Sequence, residues 1–231
     1  MEFDKKLSWK GVSVKKIVIP EIKGGNRKKP LLSFDIEEYV QFMGWYISEG
    51  SVYEPSKGDY RISIAQNKGK KRDEICKLLE RMKIKYNNQS ELNIHLHSKD
   101  LFYHLKPLGT SKLKYIPEQI KKLEPKLIEK FLIALFNGDG SFEKNKLRKY
   151  FTASKKLAED VVECLLKIGI CGLVSKRKNS DMYSVSVEHN HLTPRYIRKI
   201  LRNFKLYFNS INSNFLFMCY GGCNKLLKYT S

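Results

Sequence analysis

The chain has 231 residues, enough for one large domain or two small ones with a real hydrophobic core. Its 44 Lys and Arg against 24 Asp and Glu give a net charge of +20, which indicates a polyanionic partner, with nucleic acid as the first expectation. Its apolar runs are far shorter than the roughly 20 residues of a membrane span, and five scattered cysteines favour reduced thiols, so we expect an intracellular protein with no membrane partner, in the cytoplasm or wherever its target resides.

The first half of the chain follows a basic segment. Residues 1–32 are basic, contain prolines and glycines and lack periodicity, so we predict an extended arm or short strands that lie on DNA or pack on the core. A helical pattern then runs from Asp35 to Glu49, with Glu38 placed for a capping box and Gly50 as the stop. Further elements are predicted as strands at about 51–54 and 60–66, a helix at 71–83, a strand at 92–97 and a short helix near 99–105.

The second half repeats this order. The pattern predicts a helix from Pro125 to Gly140, a hairpin at 141–152, a helix at 157–169, strands near 173–178 and 182–187, and a helix at 192–203. The simplest interpretation is an α+β fold of two pseudo-symmetric αββαββα units, residues 33–105 and 125–203. Residues 106–124 are then a linker, and residues 204–231 a C-terminal tail.

One motif occurs twice, as "FMGWYISEGS" at 42–51 and "LIALFNGDGS" at 132–141. At an offset of 90, Gly44 aligns with Ala134, Ser48 with Gly138, and Glu49 with Asp139. Small residues four positions apart lie on one helix face and let two backbones approach closely. The motif therefore predicts two helices packed together, with the two acids side by side at their C-terminal ends.

Such a pair of carboxylates calls for a cation. Each raises the pKa of the other, and the negative ends of two helix dipoles add to the repulsion. Mg²⁺ prefers one or two carboxylates together with phosphate oxygens and water. The alternative is that both acids are solvated helix ends with no partner; the matched small residues favour the metal site.

The paired motifs resemble those of the LAGLIDADG homing endonucleases in their single-chain form. The flanking segments "KYIPEQIKKLEPKLIEKFLIALFNGDGSF" and "YFTASKKLAEDVVECLLKIGI" resemble the branch that includes intein-borne endonucleases, and the resemblance covers about 35–200. It implies a saddle of two four-stranded antiparallel sheets in the DNA major groove, with the motif helices at its centre. It also implies that Glu49 and Asp139 bind Mg²⁺ or Mn²⁺ for cleavage, with the backbone carbonyls of Ser48 and Gly138 as further candidate ligands. The first motif departs from the family pattern in having Glu49 where Asp is commoner.

Alternation along the strands selects candidate DNA-contacting residues. Apolar residues at every second position are expected to face the core, and the polar residues between them to face outward. The inward residues are Ile62, Ile64, Leu92, Ile94 and Leu96 in the first half, and Tyr183, Val185 and Val187 in the second. The outward residues are Arg61, Ser63, Asn93, His95, His97, Ser184 and Ser186, with Lys176 and Lys178 nearby. The alternative for each is an ordinary solvated polar face.

The family also often places a basic or amide side chain near the metals. The junctions between strands and helices offer candidates for this place, namely Gln66, Lys68, His97, Lys99, Thr152 and Lys155. Contact with backbone phosphate is the alternative for each of them.

The resulting prediction is a monomeric, pseudo-two-fold, metal-dependent endonuclease that makes site-specific double-strand breaks in a long DNA target. Two alternatives use the same scaffold: a maturase that binds intron RNA and assists splicing, either alone or with nuclease activity, and a DNA-binding regulator that does not cut. The chain opens with Met1-Glu2 and closes with "KYTS", without the splicing residues of an intein. We therefore expect a free-standing or intron-encoded enzyme.

Overall fold

The computed structural model describes residues 9–21, 31–143, 146–178 and 180–188. The first half contains β1 (Lys16–Ile19), β2 (Leu32–Asp35), α1 (Ile36–Glu49), β3 (Gly50–Tyr53), β4 (Arg61–Ala65), α2 (Lys70–Arg81), β5 (Tyr86–Asn87), β6 (Asn93–His97) and α3 (Lys99–Leu105). The rest contains α4 (Glu118–Lys121), α5 (Pro125–Asp139), β7 (Gly140–Glu143), β8 (Lys146–Thr152), α6 (Lys155–Lys167), β9 (Cys171–Lys176) and β10 (Tyr183–Glu188). The predicted α+β class is confirmed, and no helix in the described ranges is long and apolar enough to cross a bilayer.

Local sequence sets the bounds of α1. The Asp35 carboxylate accepts a 2.9 Å hydrogen bond from the Glu37 amide, which satisfies one free donor of the first turn. The helix ends where Gly50 turns to extended backbone. Glu38 does not complete a capping box; it pairs at 3.5 Å with Arg81 of α2. The predicted helix is thus confirmed, although one of its predicted signals acts elsewhere.

Each half contains a four-stranded antiparallel sheet of the same order. The strands run β3-β4-β6-β5 in the first half and β7-β8-β10-β9 in the second. In the first sheet, Ile62 lies opposite Leu96 and Ile64 opposite Ile94, and all four side chains are fully buried. One face of the sheet is therefore the core face, and the residues between them lie on the other face.

The motif helices α1 and α5 pack against each other with almost no space between their backbones. A Cβ at Gly44 would lie 2.5 Å from the Phe131 carbonyl oxygen and 2.7 Å from the Ala134 Cβ. A Cβ at Gly138 would lie 2.6 Å from the Ser48 Cβ. The small residues of the repeated motif therefore meet at this interface, as the sequence predicts.

The structure contains elements that were not predicted, and some predictions differ from it or fall outside the described residues. Strand β5 was not predicted, and Leu92, expected on the core face, is 62% exposed because it precedes β6. The predicted linker 106–124 contains a 3₁₀ turn at Lys106–Leu108 and helix α4, two elements that were not predicted. The predicted helix at 192–203 and the tail 204–231 lie outside the described residues.

Part of the N-terminal segment packs on the core. The Trp9 indole donates a 2.7 Å hydrogen bond to the Leu123 carbonyl, and Val12 forms a parallel bridge with the same residue. Gly11 has φ +64, and a Cβ there would lie 2.2 Å from that carbonyl oxygen, so glycine permits the close approach. Residues 9–12 thus pack against the end of the linker before α5. Of the two predicted positions for the N-terminal arm, packing on the core is the one found for these residues.

Candidate active site

The two motif acids converge where α1 and α5 end. Glu49 is the last residue of α1 and Asp139 the last of α5. The Ser48 hydroxyl donates a 3.1 Å hydrogen bond to Asp139 Oδ2. A Cβ at Gly138 would lie 3.0 Å from Glu49 Oε1, so the first acid reaches the backbone of the second helix. The structure therefore brings together the two acids that the motif predicts as a pair.

The site penalises the charge on both acids. Burial raises the pKa of Glu49, and the nearby Asp139 carboxylate raises it further. Burial also raises the pKa of Asp139, while its hydrogen bond from Ser48 opposes the increase. Lys114 and Lys71 lower both pKa values electrostatically. A further positive charge at this position would thus be bound favourably.

Lys114, in the segment before α4, lies at the C-terminal end of α1. Its side-chain nitrogen lies 2.7 Å from the Gly50 carbonyl oxygen, 3.2 Å from that of Tyr46 and 3.4 Å from that of Ser48. Lys114 is 6% exposed, and burial lowers its pKa to about 8 although both acids oppose that change. A cation at a helix C-terminus satisfies free carbonyls and the helix dipole. Lys114 therefore caps α1 next to its acid.

Lys71 has the corresponding place at α5 but comes from a different element. It is the second residue of α2, and its Nζ donates a 2.5 Å hydrogen bond to the Asn137 carbonyl in the last turn of α5. Lys71 is an exposed residue. Each motif helix thus ends with an acid and a lysine that its own sequence does not supply.

The donors at this centre fit a divalent metal ion of the Mg²⁺ type. Such ions take oxygen ligands, and the centre offers two partly desolvated carboxylates whose charges repel. Both lysines bind backbone carbonyls, so they compensate the acids from a distance. The carboxylates of Glu49 and Asp139 would hold the ion. The Ser48 carbonyl, a predicted further ligand, lies at 3.4 Å from the Lys114 nitrogen instead.

The residues predicted to assist the acids have other partners or positions. Lys68 pairs with Glu91 at 2.6 Å, His97 lies 3.8 Å from Asp59, and Lys155 lies 3.6 Å from Glu159. Thr152 is 6% exposed, and its hydroxyl accepts a hydrogen bond from the Ser154 amide. The Lys99 nitrogen lies 5.9 Å from the Tyr60 ring centroid. Gln66 follows β4, and its carbonyl accepts a hydrogen bond from Arg72. The lysines that act on the acids, Lys71 and Lys114, were not predicted. A single lysine inside the apolar run "LKYI" at 113–116 was the available signal for one of them.

The outward face of the first sheet carries the predicted polar residues. Arg61 lies opposite His97, Ser63 opposite His95, and Ala65 opposite Asn93, which places them all on the face away from Ile62 and Ile64. Three of these residues already form hydrogen bonds within the protein. Arg61 binds Asp59 through Nε at 2.8 Å, and Ser63, 7% exposed, donates to Asn93 at 3.3 Å.

The second sheet agrees with the prediction less completely. Ser184 and Ser186 lie on the outward face, opposite Phe151 and Lys149 of β8. Lys176 pairs with Tyr183, so it lies on the other face, which includes Val185. Thr152 also pairs with Tyr183, so it lies on the same face as Val185. Lys178 is exposed beyond the end of β9. Lys149, which is exposed and outward, was missed by the sequence reasoning.

Known protein families match both halves of the chain. Residues 126–204 match the model of a LAGLIDADG-like domain, and residues 39–98 match that of the WhiA LAGLIDADG-like domain. A Replication factor C small subunit from Methanocaldococcus jannaschii is 27% identical over 168 residues, which is 67% of this chain. The chain spans 9% of that relative's length.

Solved structures share the fold. Variants of the homing endonuclease I-DmoI match with a TM-score of 0.53 and 17% identity, over 72% of this chain and 96% of theirs. I-DmoI in complex with DNA and Mn matches with a TM-score of 0.52 and 17% identity, over 77% and 97%. At such identities the likeness establishes the architecture alone. Together with the two matched domains, it shows that this chain has the LAGLIDADG fold with two motifs on one polypeptide.

Proposed function

We propose that this protein is a site-specific, metal-dependent DNA endonuclease that makes double-strand breaks in a long target. The observation that carries the proposal is the convergence of Glu49 and Asp139 at the ends of two tightly packed helices, each next to a lysine. Two partly desolvated like charges side by side are costly to keep in a protein unless they bind something. Structures of I-DmoI with its target DNA and with Mn or Ca support duplex DNA and a divalent ion as ligands.

The acids and the lysines at the centre would have different roles in phosphodiester hydrolysis. Glu49 and Asp139 would hold the metal ion, which when bound supplies charge stabilisation to the reacting phosphate. Lys114 keeps α1 and its acid in place through three carbonyls. Lys71 is exposed to solvent at the end of α5, so its ammonium group would contact a phosphate oxygen of the bound strand.

The outward faces of the two sheets would supply the contacts that select the target. A two-stranded ribbon fits the major groove, where guanine presents two acceptors to an arginine. Arg61, held by Asp59 on the first sheet, is the strongest candidate for such a contact. One chain carries both acids, so we propose that a monomer cuts both strands, with homing of an intron or intein as the biological role.

A binding experiment that does not depend on cutting should come first. A library of randomised duplexes is selected for binding in Ca²⁺, and the recovered duplex is then incubated with protein in Mg²⁺ or Mn²⁺. We expect double-strand cleavage by the wild type and by Glu129→Gln, which changes an exposed acid on the same helix as Asp139. We expect Glu49→Gln and Asp139→Asn to bind the duplex and leave it intact. Cleavage by either variant at the wild-type rate would contradict the assignment.

A DNA-binding protein that does not cut is the second candidate. The match of residues 39–98 to the WhiA LAGLIDADG-like domain, where the second half matches a different model, is the observation that favours it. Tight binding of a selected duplex without cleavage in either metal would support this candidate. Preferential binding and splicing of an intron transcript would instead support the maturase.

A further inference from the structure

The position of Lys114 depends on residues outside its own segment. Its side chain crosses from the linker to α1, where it reaches the carbonyls of Tyr46, Ser48 and Gly50. A lysine has four rotatable bonds and a compact charge, so its ammonium group is only as well placed as its backbone. The groups that hold the backbone at 114–116 therefore decide where this cation lies.

Ser154 holds that backbone from the second half. It precedes α6, and its hydroxyl donates a 2.6 Å hydrogen bond to the Lys114 carbonyl. The same oxygen accepts a 3.1 Å hydrogen bond from the Leu157 amide, which caps the helix. Ser154 is 1% exposed. One hydroxyl thus joins the N-terminus of α6 to the lysine of the candidate active site.

Asp160 fixes the next turn of the same segment. Its Oδ2 accepts a 2.9 Å hydrogen bond from the Ile116 amide, and its Oδ1 pairs with Lys121 at 3.1 Å and Lys156 at 2.6 Å. Asp160 is also 1% exposed. Helix α6 therefore holds the linker on both sides of residue 115.

We propose that Ser154 is a positioning residue for catalysis, which acts by holding Lys114 against the C-terminal end of α1. Helix α6 of the second half thereby places the cation beside the acid of the first half. This inference rests on the proposed nuclease function, since it gives Lys114 a role in cleavage. It goes further in assigning a role to a residue outside the two motifs, the two lysines and the DNA-facing strands.

Three substitutions separate this role from helix capping. Ser154→Thr keeps both hydrogen bonds, Ser154→Ala loses both, and Ser154→Gly loses the donor to Lys114 while glycine remains an acceptable cap. Ser98→Ala is the matched control, because Ser98 caps α3 by accepting from the Leu101 amide and lies in the first half. Single-turnover cleavage and affinity are measured on the duplex recovered from the binding selection.

We expect Ser154→Ala and Ser154→Gly to cut about tenfold more slowly than the wild type with unchanged affinity, because small displacements of catalytic groups are costly. Ser154→Thr and Ser98→Ala should cut within about twofold of the wild type, because Lys114 stays in place in both variants. Cleavage by Ser154→Gly at the wild-type rate would show that only capping matters and would overturn the proposal.

A double-variant comparison tests whether the effect passes through Lys114. In a Lys114→Met background, Ser154→Ala should cause no further loss of cleavage, since the group that it positions is gone. The same loss in both backgrounds would indicate a general structural role and would overturn the proposal.

Hydrogen exchange of the segment 112–118 provides a readout that needs neither metal nor cleavage. We expect faster exchange in Ser154→Ala and Ser154→Gly than in Ser98→Ala. If the wild type never cuts its selected duplex, the proposed function fails and this proposal with it. If the wild type cuts, and the linker loosens in Ser154→Ala without slowing cleavage, this proposal alone fails.

Discussion

The Ser48 hydroxyl donates a 3.1 Å hydrogen bond to the carboxylate of Asp139 across the interface of the two motif helices. A small residue of the first motif thus orients the acid of the second. Gly138 makes this contact possible, because a Cβ there would lie 1.9 Å from the Ser48 oxygen. The small residues therefore do more than let the helices approach, since they also leave room for a hydrogen bond between the halves.

The fit between Ser48 and Gly138 leads to a stability prediction. We expect Gly138→Ala to lower the free energy of unfolding by about 1–3 kcal/mol, because the added methyl group overpacks the interface. Adding Ser48→Gly removes the atoms that the methyl meets and should restore part of the loss. Urea denaturation of the two single variants, the double variant and the wild type measures this coupling. A double variant no more stable than Gly138→Ala would contradict the packing argument.

The raised pKa values of the acids predict a cost to the metal-free protein. We expect Glu49→Gln to have a higher free energy of unfolding than the wild type at pH 7 in EDTA, because one of two partly desolvated like charges is gone. Because the pKa values of both acids are raised by folding, the folded wild type binds more protons than the unfolded chain at pH values just above the ordinary carboxyl pKa. Its stability in EDTA should therefore fall as pH rises from about 4 to 7, more steeply than that of Glu49→Gln. Parallel curves from urea denaturation at each pH would refute this.

The lowered pKa of Lys114 has the opposite pH dependence. Its folded pKa is about 8 and its ordinary value 10.5, so between these values the unfolded chain binds the extra proton. The free energy of unfolding of the wild type should therefore rise with pH in this window relative to Lys114→Met, by up to about 1.4 kcal/mol per pH unit. The difference between the two proteins cancels contributions from tyrosines. A difference that does not change from pH 7.5 to 10 would mean that Lys114 is not buried as a cation.

Arg72 is predicted to be the main support of the loop between β5 and β6. Its guanidinium, 3% exposed, donates to the carbonyls of five residues, namely Gln66, Asn88, Ser90, Glu91 and Asn93. We expect Arg72→Lys to lower the free energy of unfolding by about 3 kcal/mol, since an ammonium has fewer donors in a different geometry. Arg81→Lys on the same helix is the control, because Arg81 is half exposed. Thermal and urea denaturation give the values, and similar losses for both variants would contradict the assignment.

The sequence was most informative where a structure depends on neighbouring residues. The bounds of α1 follow from Asp35 and Gly50, and the pairing of Glu49 with Asp139 follows from a repeated motif. The lysines were missed because their roles depend on tertiary contacts, as Lys114 lies 64 residues from the Gly50 carbonyl that it binds. Strand β5 has two residues and exists through its pairing with β6, so periodicity does not reveal it.

Strand phase explains the remaining differences. Alternation identifies two faces of a strand, but only the register with neighbours shows which face a residue near the strand end joins. Lys176 and Thr152 lie opposite Tyr183 and so share the face of the second sheet that carries Val185. Leu92 continues the alternation of β6 in sequence, yet it lies before the first paired residue and is exposed.

Lys71 and Lys114 each cap a motif helix from another part of the chain, so the two halves are not interchangeable. Lys71 belongs to the first half and caps a helix of the second, while Lys114 belongs to the linker and caps a helix of the first. A homodimer built from two copies of the first half would carry Lys71 twice and lack Lys114, and one built from the second half with its linker would have the reverse. The duplicated motif is nearly symmetric, but the charges around it are not, so a gene for either half alone would encode a centre with different electrostatics.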